Sequence, residues 1–140
     1  MSRIFWDTNI YIYLLEDYGP LSELVARLHE RMITRGDQLV TSTLTLGEVL
    51  VKPLEKRDEA LYRIYADKIP AFSRLVPFDE QAAKIYALLR ADRSIRSPDA
   101  IQLACAASAH VDLFITNDAR LSGKIIDGIQ FIVSLDRAPL

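Results

Sequence analysis

Residues 97–118 read SPDAIQLACAASAHVDLFITND, and this stretch decides the fold class. Ser97-Pro98 opens a helix, Ser97 as its cap and then proline, which is tolerated in a first turn where its missing N–H would find no partner anyway. An alanine-rich helix is expected from there to about His110. The apolar run Val111 to Thr116 then has the length of a buried strand, and Asp118 follows two residues later. Helix, apolar strand, acid: this is one unit of a chain that alternates helices with doubly buried strands. The same region holds the longest apolar stretch, Ala100 to Ile115. It is interrupted by Gln102, His110 and Asp112, and falls short of the roughly 18 clean apolar residues of a membrane span.

The rest of the chain repeats the alternation. Arg3 to Trp6 is a short apolar run stopped by Asp7, and Asn9 to Glu16 is apolar nearly all round, so a buried strand and a buried helix are expected. Gly19-Pro20 opens a second helix, whose face of Leu21, Leu24, Val25, Leu28 and Met32 follows the 3.6 period until Gly36 stops it. Gln38 to Ser42 reads as a strand, and Thr43 onward as a helix in which Thr45 and Glu48 form a capping box and Pro53 ends or kinks the run. A further helix begins near Asp58, with Leu61, Ile64, Tyr65 and Ile69 on one face. Arg74 to Phe78 is the third strand candidate. Asp79 caps the next helix, with Ala82, Ile85, Tyr86 and Leu89 inward. Ile129 to Ser134 is the fifth strand. The fold class expected is α/β, a three-layer domain with a five-stranded, mostly parallel sheet flanked by helices, spanning residues 1–140 as one domain.

Composition narrows the chemistry. The chain has 140 residues, half of them hydrophobic and 26% charged, which excludes a disordered protein. The single cysteine, Cys105, rules out an internal disulfide and a cysteine zinc site, and in its alanine-rich setting reads as an inert small hydrophobe. His29 and His110 have no metal-ligand spacing. With 17 basic and 19 acidic side chains, the net charge of −2 is too acidic for a protein that coats duplex nucleic acid, so any grip on phosphates must be local. The acids Asp7, Glu16 and Asp17 leave no apolar signal-peptide core, and a soluble, cytoplasmic protein is expected.

In parallel α/β sheets, ligands bind beyond the carboxyl ends of the strands. Asp7 follows the first strand, Glu48 lies in the helix after the second, Asp99 opens the helix before the fourth, and Asp118 follows the fourth. Each has a bland explanation as a helix cap, a capping-box acid or a complement to a helix dipole. Four acids at one sheet edge repel one another, however, and call for a cation. An all-oxygen set suits Mg²⁺, with Mn²⁺ as a possible substitute, and the chemistry implied is metal-assisted phosphodiester hydrolysis.

The same residues carry a family resemblance. Phe5-Trp6-Asp7-Thr8-Asn9, Leu46-Gly47-Glu48-Val49, Ser97-Pro98-Asp99-Ala100-Ile101-Gln102-Leu103-Ala104 and Phe114-Ile115-Thr116-Asn117-Asp118 together resemble the PIN domain, in the order and spacing of VapC-type toxins of toxin–antitoxin pairs. The resemblance implies Asp7 and Asp99 as the principal Mg²⁺ ligands, with Glu48 and Asp118 acting directly or through water. It implies that Asn9 and Thr116 orient those carboxylates. It also implies an RNA substrate, a homodimer, and a cognate antitoxin whose C-terminal segment blocks the site. The alternative is a noncatalytic PIN module that binds RNA or a protein partner. A HAD-type phosphatase also begins with an aspartate after its first strand, but needs another two residues on, where this chain has Asn9.

Lys84, Arg90, Arg93 and Arg96 precede Asp99, and Arg120 and Lys124 follow Asp118. Arg93 and Arg96 are the candidates for holding substrate phosphates, against the alternative of an ordinary solvated face. Tyr11 and Tyr13 face different directions on their helix, and packing is the expected role of both. Gly47 weakens a helix by about 1 kcal/mol relative to alanine, which close approach of the first helix would account for.

Overall fold

The computed structural model describes residues Met1–Leu140. The chain runs β1 (Arg3–Trp6), α1 (Thr8–Leu15), α2 (Pro20–Arg35), β2 (Gln38–Ser42), α3 (Thr43–Glu55), α4 (Glu59–Phe72), β3 (Arg74–Val76), α5 (Glu80–Leu89), α6 (Ser97–Ser108), β4 (Leu113–Thr116) and β5 (Phe131–Ser134). All strand pairs are parallel, in the order β3-β2-β1-β4-β5. From the central β1 the chain first builds outward to β2 and β3, then crosses back to the other side of β1 for β4 and β5. Right-handed crossovers in opposite directions must lie on opposite faces. Helices α1 to α4 accordingly pack on one face and α5 and α6 on the other.

Side-chain alternation along the strands divides the core the same way. Ile4, Trp6, Leu39, Leu113 and Ile115 join Ile10, Tyr11, Val25, Met32, Tyr65 and Ile69 on the first face. Phe5, Val40, Phe114 and Ile132 join Leu103, Ala104 and Ala107 of α6 on the second. Phe5 and Phe114 are cross-strand neighbours on that second face, stacked at 4.9 Å and 8°. The alanines of α6 let it lie close to the sheet, and Cys105 is fully buried among them, its thiol pushed up to about 11 by burial.

Helix ends follow local chemistry. Gly36, in the left-handed region (φ 74°), closes α2: its own N–H reaches the Ile33 carbonyl and that of Asp37 reaches Met32. His110 (φ 52°) closes α6 in the same way, with Val111 N–H on the Ala106 carbonyl. Val111 therefore belongs to the helix exit, and β4 starts two residues later than the apolar run suggests. The third strand ends at Val76 because Pro77 has no N–H for the ladder. The fifth starts at Phe131, since the chain is still turning at Gly128 (φ 92°).

Three local expectations are corrected. The cap of α3 is Ser42, whose hydroxyl accepts from Thr45 N–H at 3.3 Å, because β2 runs into the helix without a loop. Thr45 is thus inside the helix and Glu48 is freed from a capping box. At α6 the cap position is Arg96, without a side-chain bond; Ser97 is already helical, its hydroxyl paired with Tyr86 at 2.7 Å. Asp99 is therefore the third helical residue. Nothing approaches Gly47 closely: it is exposed, and a Cβ there would meet no atom within 4 Å.

Two glycines of opposite kind yield a test. Gly47→Ala is expected to stabilise the protein by about 0.5–1 kcal/mol, since alanine costs the helix less entropy and finds open space. Gly128→Ala is expected to destabilise it by at least about 1 kcal/mol, because a positive φ disfavours any side chain. There a Cβ would also lie 2.8 Å from the Ala107 carbonyl oxygen. Denaturant unfolding of both variants reads the two signs.

Candidate functional site

The crossing of the chain from one side of β1 to the other leaves a crevice where β1 and β4 part, at their carboxyl ends. A cleft of about 200 Å³ opens there, lined by Asp7, Thr8, Asn9, Glu48, Pro98, Asp99, Gln102 and Asp118. All four acids singled out in the sequence thus come from separate segments to one small polar depression. Its size suits a hydrated ion and a phosphate rather than a bulky organic ligand.

Asp7 is the most tightly held. Its backbone N–H continues the ladder to the Ile115 carbonyl at 3.0 Å. One carboxylate oxygen accepts the Thr8 N–H at 2.8 Å and so caps α1. The other accepts from the Thr116 hydroxyl at 2.8 Å, and the Thr116 oxygen in turn accepts the Asp118 N–H at 3.0 Å. A single buried threonine at the end of β4 therefore positions two acids.

Glu48 is reached from the opposite wall. The Thr8 hydroxyl donates to it at 2.6 Å, and the Gln102 amide lies at 3.4 Å. Gln102 is buried, accepts from Ser42 and donates to Thr45 at 2.8 Å, tying α6 to the start of α3. Asn9 lines the cleft, but no hydrogen bond joins its amide to any of the acids; Thr8 makes that contact instead. Thr8 and Gln102 were not singled out in the sequence. Their neighbours Asp7, Asn9 and Asp99 carried the motif, and a threonine and a buried glutamine give no signal of their own.

The PIN-domain family model matches residues 4–124. The chain belongs to the PIN-domain family. Among solved structures it is similar in fold to VapBC2 of Rickettsia felis bound to a promoter DNA fragment, with a TM-score of 0.76 at 14% identity over 94% of this chain and 98% of that one. FitAB bound to the IR36 DNA fragment gives 0.72 at 22% identity, covering 98% of both chains. DNA-bound VapBC of Salmonella typhimurium gives 0.72 at 19%, covering 96% of this chain and 99% of that one. Among curated proteins, none matches significantly.

The electrostatics of this PIN-domain cleft are those of crowded like charges. Burial, with Asp99 and Glu48 as acidic neighbours, pushes the Asp7 carboxyl above the ordinary range, against the bonds from Thr116 and Thr8. Burial and the charge of Asp118 push Asp99 up as well, while Arg120 and Arg96 oppose the rise. Asp118 is held below the usual range by its bonds from Arg120. No three of the acids converge closely enough to grip one bare ion between them. The donors are all hard oxygens, and Mg²⁺ retains several waters while using only one or two carboxylates. The residues present therefore fit a hydrated divalent cation.

Of the basic residues near the acids, Lys84 pairs with Glu80 at 3.6 Å and Lys124 with Asp92 at 3.3 Å. Arg120 lies on Asp118 and Asp99. Arg90, Arg93 and Arg96 are exposed and make no ion pair. Tyr11 is core, bonded to Ser73 at 2.6 Å, and Tyr13 accepts from Asn117 at 2.9 Å.

The raised Asp7 carboxyl has a thermodynamic consequence. A folded-state value above the unfolded one gives stability that is full at low pH and lost as pH rises through the folded value. Asp7→Asn is therefore expected to raise the melting temperature of the metal-free protein at pH 7. The gain should shrink as pH falls into the ordinary carboxyl range, and thermal unfolding across pH in EDTA measures it.

Proposed function

We propose that this PIN-domain protein is a Mg²⁺-dependent endoribonuclease, the toxin of a VapBC-type pair. The observation that carries the reading is the meeting of Asp7, Glu48, Asp99 and Asp118 in one polar cleft at the topological switch of the sheet. Asp7 and Asp99 act as the principal metal ligands, with Glu48 and Asp118 holding the ion directly or through water. The bound cation would lower the pKa of a water and neutralise charge on the scissile phosphate. Thr116 fixes the Asp7 carboxylate, and Thr8 and Gln102 aim Glu48 into the cleft. Arg93 and Arg96, exposed and outside any direct ion pair, hold flanking phosphates, Arg96 close enough for its charge to be felt at Asp99 and Asp118. By family analogy, the products carry 5′-phosphate and 3′-hydroxyl ends.

A cognate antitoxin and a second copy of the chain complete the proposed assembly, which acts in the cytoplasm as one domain over residues 1–140. The similar solved structures are toxin–antitoxin complexes, which supports the antitoxin. No helix is long and apolar enough to cross a membrane. A groove of about 430 Å³ shares Asn9 and Glu48 with the cleft and continues past Ile12, Val51 and Leu61. It offers an antitoxin segment a seat of mixed apolar and charged lining that ends at Glu48.

The second reading is a noncatalytic PIN module that binds RNA or a protein partner. It draws on the wide placing of the acids, none of which forms a tight ligand trio. Cleavage of a mixed tRNA and rRNA pool by antitoxin-free protein separates the two. The nuclease should cut with Mg²⁺ and not in EDTA. Asp7→Asn and Asp99→Asn, while still folded, should each lose at least about a hundredfold in rate, as expected when several kcal/mol of metal assistance are withdrawn. Folded wild type that binds Mg²⁺ yet cuts nothing would favour the binding module.

Two further outcomes follow from the same roles. Saturating Mg²⁺, at about 100 times its dissociation constant, should add about 2.7 kcal/mol to the unfolding free energy of the wild type. Replacing Arg93 and Arg96 together by alanine should weaken RNA binding and flatten its dependence on salt, by a slope change of about 1 to 2.

A further inference from the structure

Arg120 is the one cation that pairs with acids of the cleft. Its Nε donates to one Asp118 oxygen at 3.0 Å and its Nη2 to the other at 2.5 Å, while its backbone N–H also reaches the first at 3.0 Å. The same Nη2 lies 3.6 Å from Asp99. Both oxygens of Asp118 are thus occupied, and one guanidinium bridges two of the four acids. Planar, bidentate pairing of this kind is the strong form of an arginine–carboxylate contact. The arginine is not locked in: its side chain is 45% exposed, on the turn after β4, with room to swing toward solvent.

We infer that Arg120 is an internal stand-in for the divalent cation, displaced when metal binds and then free to take a phosphate of the substrate. The inference rests on the metal-dependent reading of the cleft. The guanidinium neutralises Asp118 and part of Asp99 while the cleft lacks metal, so a cation using those oxygens must first displace it. Metal and arginine therefore compete for Asp118. Once displaced, the guanidinium remains on a short tether beside the cleft, where the nearest anion left for it is the substrate backbone. Arg120 would then be a positioning residue whose availability depends on metal.

Competition and phosphate binding predict opposite signs for one substitution. In Arg120→Ala, Mn²⁺ measured by electron paramagnetic resonance or calorimetry should bind about two- to fivefold more tightly than in wild type, the range for loss of a partly exposed ion pair. With Ca²⁺ in place of Mg²⁺ to suppress turnover, the same variant should bind RNA more weakly. Arg120→Lys, which keeps the charge but loses the fork, should fall between in metal affinity. A residue that merely shaped the turn would weaken both affinities together. Unchanged or weaker Mn²⁺ binding in folded Arg120→Ala overturns the inference and leaves the nuclease reading intact. Absence of Mn²⁺ binding in both proteins overturns the two together. Binding by the variant alone supports the stand-in most strongly.

Discussion

Repulsion among carboxylates is the constraint around which this protein is built. Asp7, Glu48, Asp99 and Asp118 share a cleft in which burial already raises two of them, and the fold must hold them there without letting them drift apart. It does so with neutral donors on rigid elements. Thr116 and the first N–H of α1 grip Asp7, Thr8 and Gln102 reach Glu48, and Arg120 supplies the only direct positive charge. Because Thr116 and Thr8 sit at or just past the ends of β4 and β1 and Gln102 is bonded to Ser42 at the end of β2, the sheet that forms the core also carries the cost of the site.

The topology explains why these four segments meet. In the order β3-β2-β1-β4-β5 the chain leaves β1 in one direction and returns past it in the other. The helices diverge to opposite faces at that reversal and open the crevice that Asp7 and Asp118 flank. Gln102 crosses behind it, joining α6 on one face to α3 on the other through Thr45 and Ser42. The buried amide takes the place of an apolar contact and fixes how two layers from opposite faces of the sheet are set at their shared edge.

Much of this was legible in the residues. Short apolar runs, one stopped by Asp7 and one followed closely by Asp118, proline at the start of α2 and α6, and glycine at the end of α2 mark the alternation directly, and the sheet is five-stranded and parallel as expected. What a linear reading misses is set by tertiary partners. Thr45 and Glu48 have capping-box spacing, but β2 delivers the chain straight into a helix capped by Ser42. Val111 looks like strand, yet the left-handed turn at His110 claims its N–H for the helix. Asn9 stands in the motif while the hydrogen bond to Glu48 comes from Thr8, a choice made by which face of α1 meets α3. The ion pair of Lys124 with Asp92, from a separate segment, likewise depends on tertiary placement, whereas that of Lys84 with Glu80 is an i,i+4 helix pair that spacing alone marks.

The central position of β1 bears on how the chain comes off the ribosome. β1, first of the five strands in chain order, is the middle strand of the sheet, and its partner β4 lies more than a hundred residues downstream, joined through Ile4 to Leu113 and Phe5 to Phe114. Until that partner emerges, one edge of β1 is unpaired and Phe5 has no ring to stack on. Thr116 and Asp118 arrive with the same segment. A nascent chain therefore holds three of its acids without the strand that gathers them, and acquires the assembled cleft only once β4 has emerged.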